Sequence, residues 1–493
     1  MTKQLSISAA VSVALFATNA FSAEDITTYD IVIEQGRVID PASGTNEVMN
    51  IGIVDGSIVA LNNDKLVGEK VIDAKGKVVA PGFVDLHSHT PFSFGESLQL
   101  RDGVTTPLDL EAGAYPVTDY GMFIRDKARA NYGASVGFYA ARIKVIEDRD
   151  QSYIVTEQGA HPFAGPAFTQ QATPDQIEEL KAHLTEGIKQ GGIGIGLPLD
   201  YMTEAISEDE LNMVFKLAKD LNVPLFAHIR RGVNGDIGPL NDVLELSQKY
   251  GTALHLCHIN ANAMGNISNW LAAIDEANEN GANVTVEAFP YTAGSTSISA
   301  DVFGRDWQEI FDISYGDVQW AATGEFLTKE TFKQKRREEP GGMVIHHYMK
   351  EEWLETALTY PGMIVSSDAM PTLNANVKAN PNGAGSFTRL LTHYVRDTEL
   401  LSLEQAIAMS SYYPARLIEE AAPAFKRKGR VQVGADADLL VFDLDNLSSN
   451  AAYMDPFAPA TGWDYILVNG VVVLDGDKLT KERPGQFILS THP

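Results

Sequence analysis

The sequence predicts an α/β fold, a TIM-type (β/α)8 barrel with a small β-sandwich domain built from both chain ends. Three observations carry this. Strand and helix patterns alternate through residues 81–426. Short alternating β runs broken by Asp-Gly and Lys-Gly turns occupy both ends of the chain. Metal-ligand types terminate several of the apolar runs in between, where a barrel has its mouth.

Composition sets the frame. The chain has 493 residues, 44% of them hydrophobic, enough for a large barrel and a second small domain. A net charge of −27 argues against nucleic acid or an anionic membrane surface as partner. Lys3, the uncharged apolar run Leu5 to Phe16 and the small residues Ala20 and Ser22 read as an export signal over residues 1–22. That run is too short for a membrane span, and no cysteine follows it to carry a lipid anchor. The mature protein is therefore expected to be exported, to the periplasm. The single cysteine, Cys257, excludes an internal disulfide and reads as a small buried hydrophobe.

From residue 23 to 80 the pattern is β: YDIVIEQGRVID, NIGIVDGSIVAL and KVIDAKGKVVAPG. A similar pattern returns over 427–493 in VGADADLLVFDL and YILVNGVVVLDGDKL. Neither end alone can bury a good core, whereas the two together can. Within 81–426, Thr173 and Pro174 start a helix with the stripe Ile177, Leu180, Leu184 and Ile188, and Gly191-Gly192 end it. The strand IGIGL follows. Ser207 and Glu210 predict a capping box for the next helix, which precedes the strand PLFAH. Further helical stretches to Tyr250 and over Ser268 to Asn280 lead to ALHLCH and NVTVEAFPY. Residues 301–341, with Trp307 and Trp320, interrupt this rhythm and read as an insertion over the cleft, a lid or a specificity wall, or else a surface elaboration.

Candidate ligands fall at the strand ends. His87 and His89 follow the run GFVDL; residues i and i+2 of a strand share a face and so form a bidentate platform. His228 ends PLFAH, His258 ends ALHLCH and Asp368 ends MIVSSD. One such residue is ordinarily a hydrogen-bonded interior group. Five at four strand ends point to a divalent metal site. His183, on a helix, and His161, in a Pro/Gly loop, lack that context; His346 and His347, ending MVIHH, stay open.

These residues resemble the amidohydrolase superfamily, in GFVDLHSH and in the tail KGRVQVGADADLLVFD. Within it the chain is most similar to the D-aminoacylase branch, the N-acyl-D-amino acid deacylases, through PYTAGST (290–296), GSFTRLLTHYVR (385–396) and NGVVVLDG with ERPGQF. The resemblance implies one or two Zn2+ ions per chain. It departs from the branch in two places. The branch's metal-binding cysteine position is Ala112 here, beside Glu111, whose carboxylate is the candidate replacement and bridge. No lysine in IGIGLPLDY is present to serve as the superfamily's other bridge. A lysine common in the branch is Asn260, which leaves Tyr201, Arg230 and Arg389 as candidates for the substrate carboxylate, each equally able to be structural. Ser295, inside PYTAGST, joins them as a substrate contact.

The chemistry implied is amide hydrolysis by metal-activated water. His87, His89 and Asp368 are assigned to one metal, and His228, His258 and Glu111 to a second. Asp368 stands where the family places its general base. The expected reaction is deacylation of an N-acyl-D-amino acid, including acidic ones. A cyclic amidase of dihydroorotase or hydantoinase type, or a metallo-dipeptidase, would use the same metals. A silent binding protein would have lost a histidine or Asp368, and none is lost. No motif bears on oligomeric state.

Overall fold

The two chain ends meet in one nine-stranded sheet. Its N-terminal strands are Tyr29–Asp40, Thr45–Val54, Ser57–Asn62, Gly68–Asp73 and Val78–Pro81; its C-terminal strands are Leu439–Phe442, Trp463–Val468, Val471–Asp475 and Lys478–Leu479. They join where Val78–Pro81 runs antiparallel to Leu439–Phe442, Val79 facing Val441. Period-2 patterning turns Ile31, Ile33, Ile51, Leu439 and Val441 into one cluster. Ile58 and Val472 come from strands near opposite ends of the sheet order yet share that cluster, so the sheet wraps around its own core. The computed structural model describes residues 28–156, 159–160, 165–376 and 378–490. The expected export segment and His161 lie outside them.

Eight parallel strands form the barrel: Phe83–Asp85, Val104–Ala114, Gly133–Gly137, Ile195–Pro198, Leu225–His228, Ala253–Leu256, Asn283–Ala288 and Ile364–Val365, here called barrel strands 1 to 8. Each pairs with its neighbour in chain order. A parallel bridge between Ser88 and Ala369, beyond the ends of strands 1 and 8, nearly closes the ring. Among the described residues no helix is long and apolar enough to cross a membrane.

The helix predicted from Thr173 spans Pro174–Lys189, and Thr173 and Gln176 form a reciprocal capping box. Its residues Leu180, Leu184 and Ile188 are buried against the barrel. The next helix, Glu208–Leu221, corrects the capping-box expectation. Ser207 accepts from the Glu210 N–H, but the Glu210 carboxylate pairs with Arg142 instead of returning to the cap. Arg142 is fully buried, and a buried guanidinium commands the nearest carboxylate more strongly than an exposed helix end does.

Between strands 7 and 8 the chain builds a second small sheet, antiparallel, with Met343–His346 between Gly294–Ser297 and Val318–Trp320. Residues 301–341 pack inside this unit. Phe303, Trp307 and Phe332 form its aromatic core, the Trp307 and Phe332 rings stacked 5.3 Å apart. Cys257 is buried and free.

Candidate metal centre

Barrel strand 1 delivers His87 and His89 to the mouth with their Nε2 atoms 3.1 Å apart. Strand 2 carries Glu111 into the same space. Its Oε2 lies 3.3 Å from both His87 Nε2 and His89 Nε2. Its other oxygen, Oε1, lies 2.7 Å from His228 Nδ1 and 3.2 Å from His258 Nε2. One carboxylate therefore stands between two histidine pairs. Asp368 Oδ1 sits 3.4 Å from His87 Nε2 and completes the ring from strand 8. His258 and Asp368 both have left-handed backbone, with φ of 34° and 51°. Non-glycine residues adopt that region at a cost of about 1–3 kcal/mol each, a cost characteristic of sites whose geometry is dictated by chemistry.

The electrostatics fit a cation. Burial disfavours charge on His87, yet Glu111, Glu287 and Asp368 outweigh it and hold the imidazole well above its ordinary range. Burial opposes His89 in the same way, and Asp109 overrides it, pushing that ring up to about 10. Burial is likewise outweighed at Glu111, where His87 and His228 hold the carboxyl well below its usual value. Asp368 moves the other way: burial dominates and raises it. Donor atoms of His87, Glu111 and His258, and of His87, His89 and Asp368, lie within 4.8 Å of one another in each group. Imidazole nitrogens and carboxylate oxygens clustered so closely, with more negative than fixed positive charge, suit one or two divalent ions.

An outer layer of acids orients the inner one, and it was not read from the sequence. Glu287, on strand 7, accepts from His87 Nδ1 at 2.6 Å and meets His255 Nε2 at 3.1 Å. Asp109 meets His89 Nδ1 at 3.0 Å, and its other oxygen accepts the Ala112 and Gly113 N–H groups beside Glu111. Asp85 accepts from the Ser367 N–H next to Asp368. Such partners set the tautomer and angle of a ligating imidazole. The available signal was positional, because each acid occupies a barrel strand, as the histidines do at or just past their strand ends.

The cavity over the centre is lined by His89, Glu111, His228, His258 and Asp368 on its floor, and by Tyr201, Arg231, Ser295 and His346 on its wall. Tyr201 and Ser295 thus lie where substrate contacts were expected. Tyr201 Oη is 3.2 Å from Thr296 Oγ1, and Ser295 Oγ donates to the Val344 carbonyl. The other two candidates, Arg230 and Arg389, are not among the lining residues. Arg230 donates to the Ile206 carbonyl and lines a separate surface groove with Glu208 and Asp242. Arg389 donates to the Pro290 carbonyl and stacks over Tyr291 and Tyr394, outside the cavity lining. Chain direction decides the first case, since after His228 it is Arg231, braced on Asp200, that turns inward. His346, left open by the sequence, is a wall residue, while His347 bonds Gln319. His183 bonds the Tyr115 hydroxyl on an outer helix. Asn260 donates to the Phe289 carbonyl.

Comparison with known proteins agrees with this architecture. The sequence model described as Amidohydrolase family matches residues 70–120 and 142–474. The chain is 26% identical to an N-acyl-D-glutamate deacylase of Alcaligenes xylosoxydans xylosoxydans, over 93% of this chain and 96% of that one. Among solved structures it superposes on a zinc- and phosphonate-bound N-acyl-D-glutamate deacylase from Bordetella bronchiseptica, with TM-score 0.75, 24% identity, 94% of this chain and 100% of that one. The L-hydantoinase of Arthrobacter aurescens shares the fold more distantly, with TM-score 0.60, 17% identity and the same 94% and 100% coverage. The matched span includes all six inner residues of the metal centre, and the chain belongs to the amidohydrolase family.

Proposed function

We propose that this metal-dependent hydrolase removes the acyl group from N-acyl-D-amino acids, with zinc as its metal, one or two ions per chain. The observation that carries the reading is the Glu111 carboxylate between two histidine pairs, facing Asp368 at the floor of a closed-sided cavity. Similarity to an N-acyl-D-glutamate deacylase over nearly the whole of both chains supports the substrate class.

His87, His89 and Asp368 would hold one ion, and His228 and His258 a second, with Glu111 shared between them. When bound, zinc supplies Lewis acidity for the amide carbonyl and acidifies water. The residues of the chain do the rest. Asp368, its carboxyl raised by burial, accepts a proton as the water oxygen bonds to the acyl carbon. It returns that proton to nitrogen as the C–N bond breaks, so a carboxylic acid and a free amino group leave. Glu287 and Asp109 keep His87 and His89 aimed through their Nδ1 atoms. The wall strands Gly294–Ser297 and Met343–His346 limit access of bulk water to this floor.

The test is a rate comparison on matched N-acetyl-D- and N-acetyl-L-amino acids, using holo protein, chelated protein and chelated protein with zinc restored. Turnover confined to D-substrates, lost on chelation and restored by zinc, is expected. Turnover of a hydantoin or dihydroorotate with none of any N-acetyl-D-amino acid would overturn the reading. Export through residues 1–22 belongs to the same proposal; a mature N-terminus at Ala23 in periplasmic protein checks it.

A further inference from the structure

We propose that Arg231 sets specificity: it anchors one substrate carboxylate beside the metal centre, and the remaining wall selects an apolar amino acid over an acidic one. This rests on the deacylase reading above.

Arg231 is the one arginine or lysine among the described residues that line the cavity. Its side chain is only 10% exposed. Asp200 holds it twice, accepting from its backbone N–H at 2.9 Å and from its guanidinium at 2.7 Å. Asp200 in turn is tied to Arg305 of the insertion at 2.7 Å. The anchor is thus braced from strand 4 and from the inserted unit together. Arg231 still has a donor to spare, because its buried Nε has no hydrogen-bond partner. Nearby on the same wall, His346 is 3% exposed and its Nδ1 is also without a partner. Two unsatisfied buried nitrogens on residues that line one cavity are costly unless water or a ligand meets them.

The spacing suits an N-acyl amino acid. A single imidazole separates Arg231 from the bridging carboxylate: His228 Nδ1 is 2.7 Å from Glu111 Oε1, and its Nε2 is 2.8 Å from the Arg231 guanidinium. In an N-acyl amino acid the scissile carbon and the carboxylate carbon are three bonds apart, about 3–4 Å. A substrate whose amide lies over Glu111 on the His228 side extends its carboxylate along that imidazole toward Arg231. A second carboxylate, on an acidic side chain, would find no further cation in the described lining. Beyond the neutral polar groups of Tyr201, Ser295 and His346, it would meet Phe289, Val302, Met343, Met370 and Pro371. Burying an unpaired carboxylate against apolar atoms is strongly unfavourable, whereas a leucine-like side chain gains from the same surface.

The experiment compares N-acetyl-D-leucine, N-acetyl-D-leucinamide and N-acetyl-D-glutamate on wild type, Arg231→Met and Arg231→Lys, with zinc content measured for each. Wild type is expected to prefer the leucine substrate to its amide and to the glutamate substrate, each by about tenfold or more, the scale of a charge-assisted bond. In Arg231→Met the acid-over-amide ratio falls about tenfold through KM, and Arg231→Lys recovers part of it. An unchanged ratio in Arg231→Met overturns the anchor, as does loss of zinc in both variants, which would make Arg231 a positioning residue for His228. A wild type that prefers N-acetyl-D-glutamate overturns the selection of apolar substrates. A wild type with no activity on any of the three removes the deacylase reading itself, and the anchor with it.

Discussion

Two clusters of buried charge in this molecule are solved in opposite ways. Where the C-terminal segment enters the nine-stranded sheet, Lys428 Nζ lies 2.7 Å from Asp438 and 3.0 Å from Asp436. Asp438 also accepts from the Asn469 N–H and the Asn131 amide. That cluster is complete, with a permanent cation between two acids, one backbone and one side-chain amide donor on Asp438, and Arg427 on Asp436 at 2.8 Å. At the barrel mouth, Asp109, Glu111, Glu287 and Asp368 face imidazoles, whose charge is conditional. Among the described residues the arginines beside the centre, Arg231 and Arg305, both pair with Asp200 and leave the metal-facing acids without a permanent cation. A structural cluster balances its charge within the chain; this centre balances it with divalent ions.

Substitutions can break that contrast, and the largest effect belongs to Asp368. Asp368→Asn should lower kcat by about 10²–10⁴-fold, the usual weight of general acid–base catalysis, with little change in melting temperature. Steady-state kinetics and calorimetry together check it. Lys428→Met should do the reverse, leaving turnover per folded molecule intact while costing about 3–5 kcal/mol of stability, because buried Asp438 loses its cation while Asp436 keeps Arg427. Denaturant unfolding beside zinc content separates the two effects.

The same cluster has a pH signature. Burial opposes the Lys428 charge, but Asp438 and Asp436 outweigh it and raise its pKa above the ordinary 10.5. A raised folded pKa stabilises fully below the unfolded value and is lost as pH rises through the folded one. The Lys428 contribution should therefore persist up to about pH 10 and disappear above it. Unfolding curves from pH 8 to 12, with Lys428→Met as reference, should converge at the alkaline end.

Glu287→Gln should sharpen the comparison from the other side by weakening divalent-metal binding about 10–100-fold, the typical worth of a carboxylate behind a ligating histidine. Competition with a chelator measures it. Arg230→Ala is the smallest expected effect. Its guanidinium faces a groove away from the cavity, so kcat/KM should change by less than about twofold, as for a substitution remote from the site.

Much of this was legible in the chain because strand ends are legible. Apolar runs closing in His87, His228 and His258 mark the C-terminal edge of a parallel barrel, and a barrel gathers those edges into one mouth. Glu111 was reachable only through the resemblance, as the acid beside the branch's cysteine position, because it lies inside its strand. Glu287, Asp109 and Asp85 were not read because an acid inside an apolar run has no visible partner until the strands are placed side by side. The choice between Arg230 and Arg231 was hidden for a different reason. Adjacent residues beyond a strand end point apart, and which one turns inward depends on Asp200, thirty-one positions from Arg231 in sequence. The capping-box expectation at Glu210 failed because its partner, Arg142, comes from sixty-eight residues away.

The most direct test of the account is anomalous diffraction at the zinc absorption edge from crystals of the holo protein and of Glu111→Ala. The account predicts density on one or both sides of the Glu111 carboxylate, between it and the pairs His87/His89 and His228/His258, with at least one peak lost in the variant. Full peaks that survive in Glu111→Ala, or zinc bound away from these histidines, would contradict it.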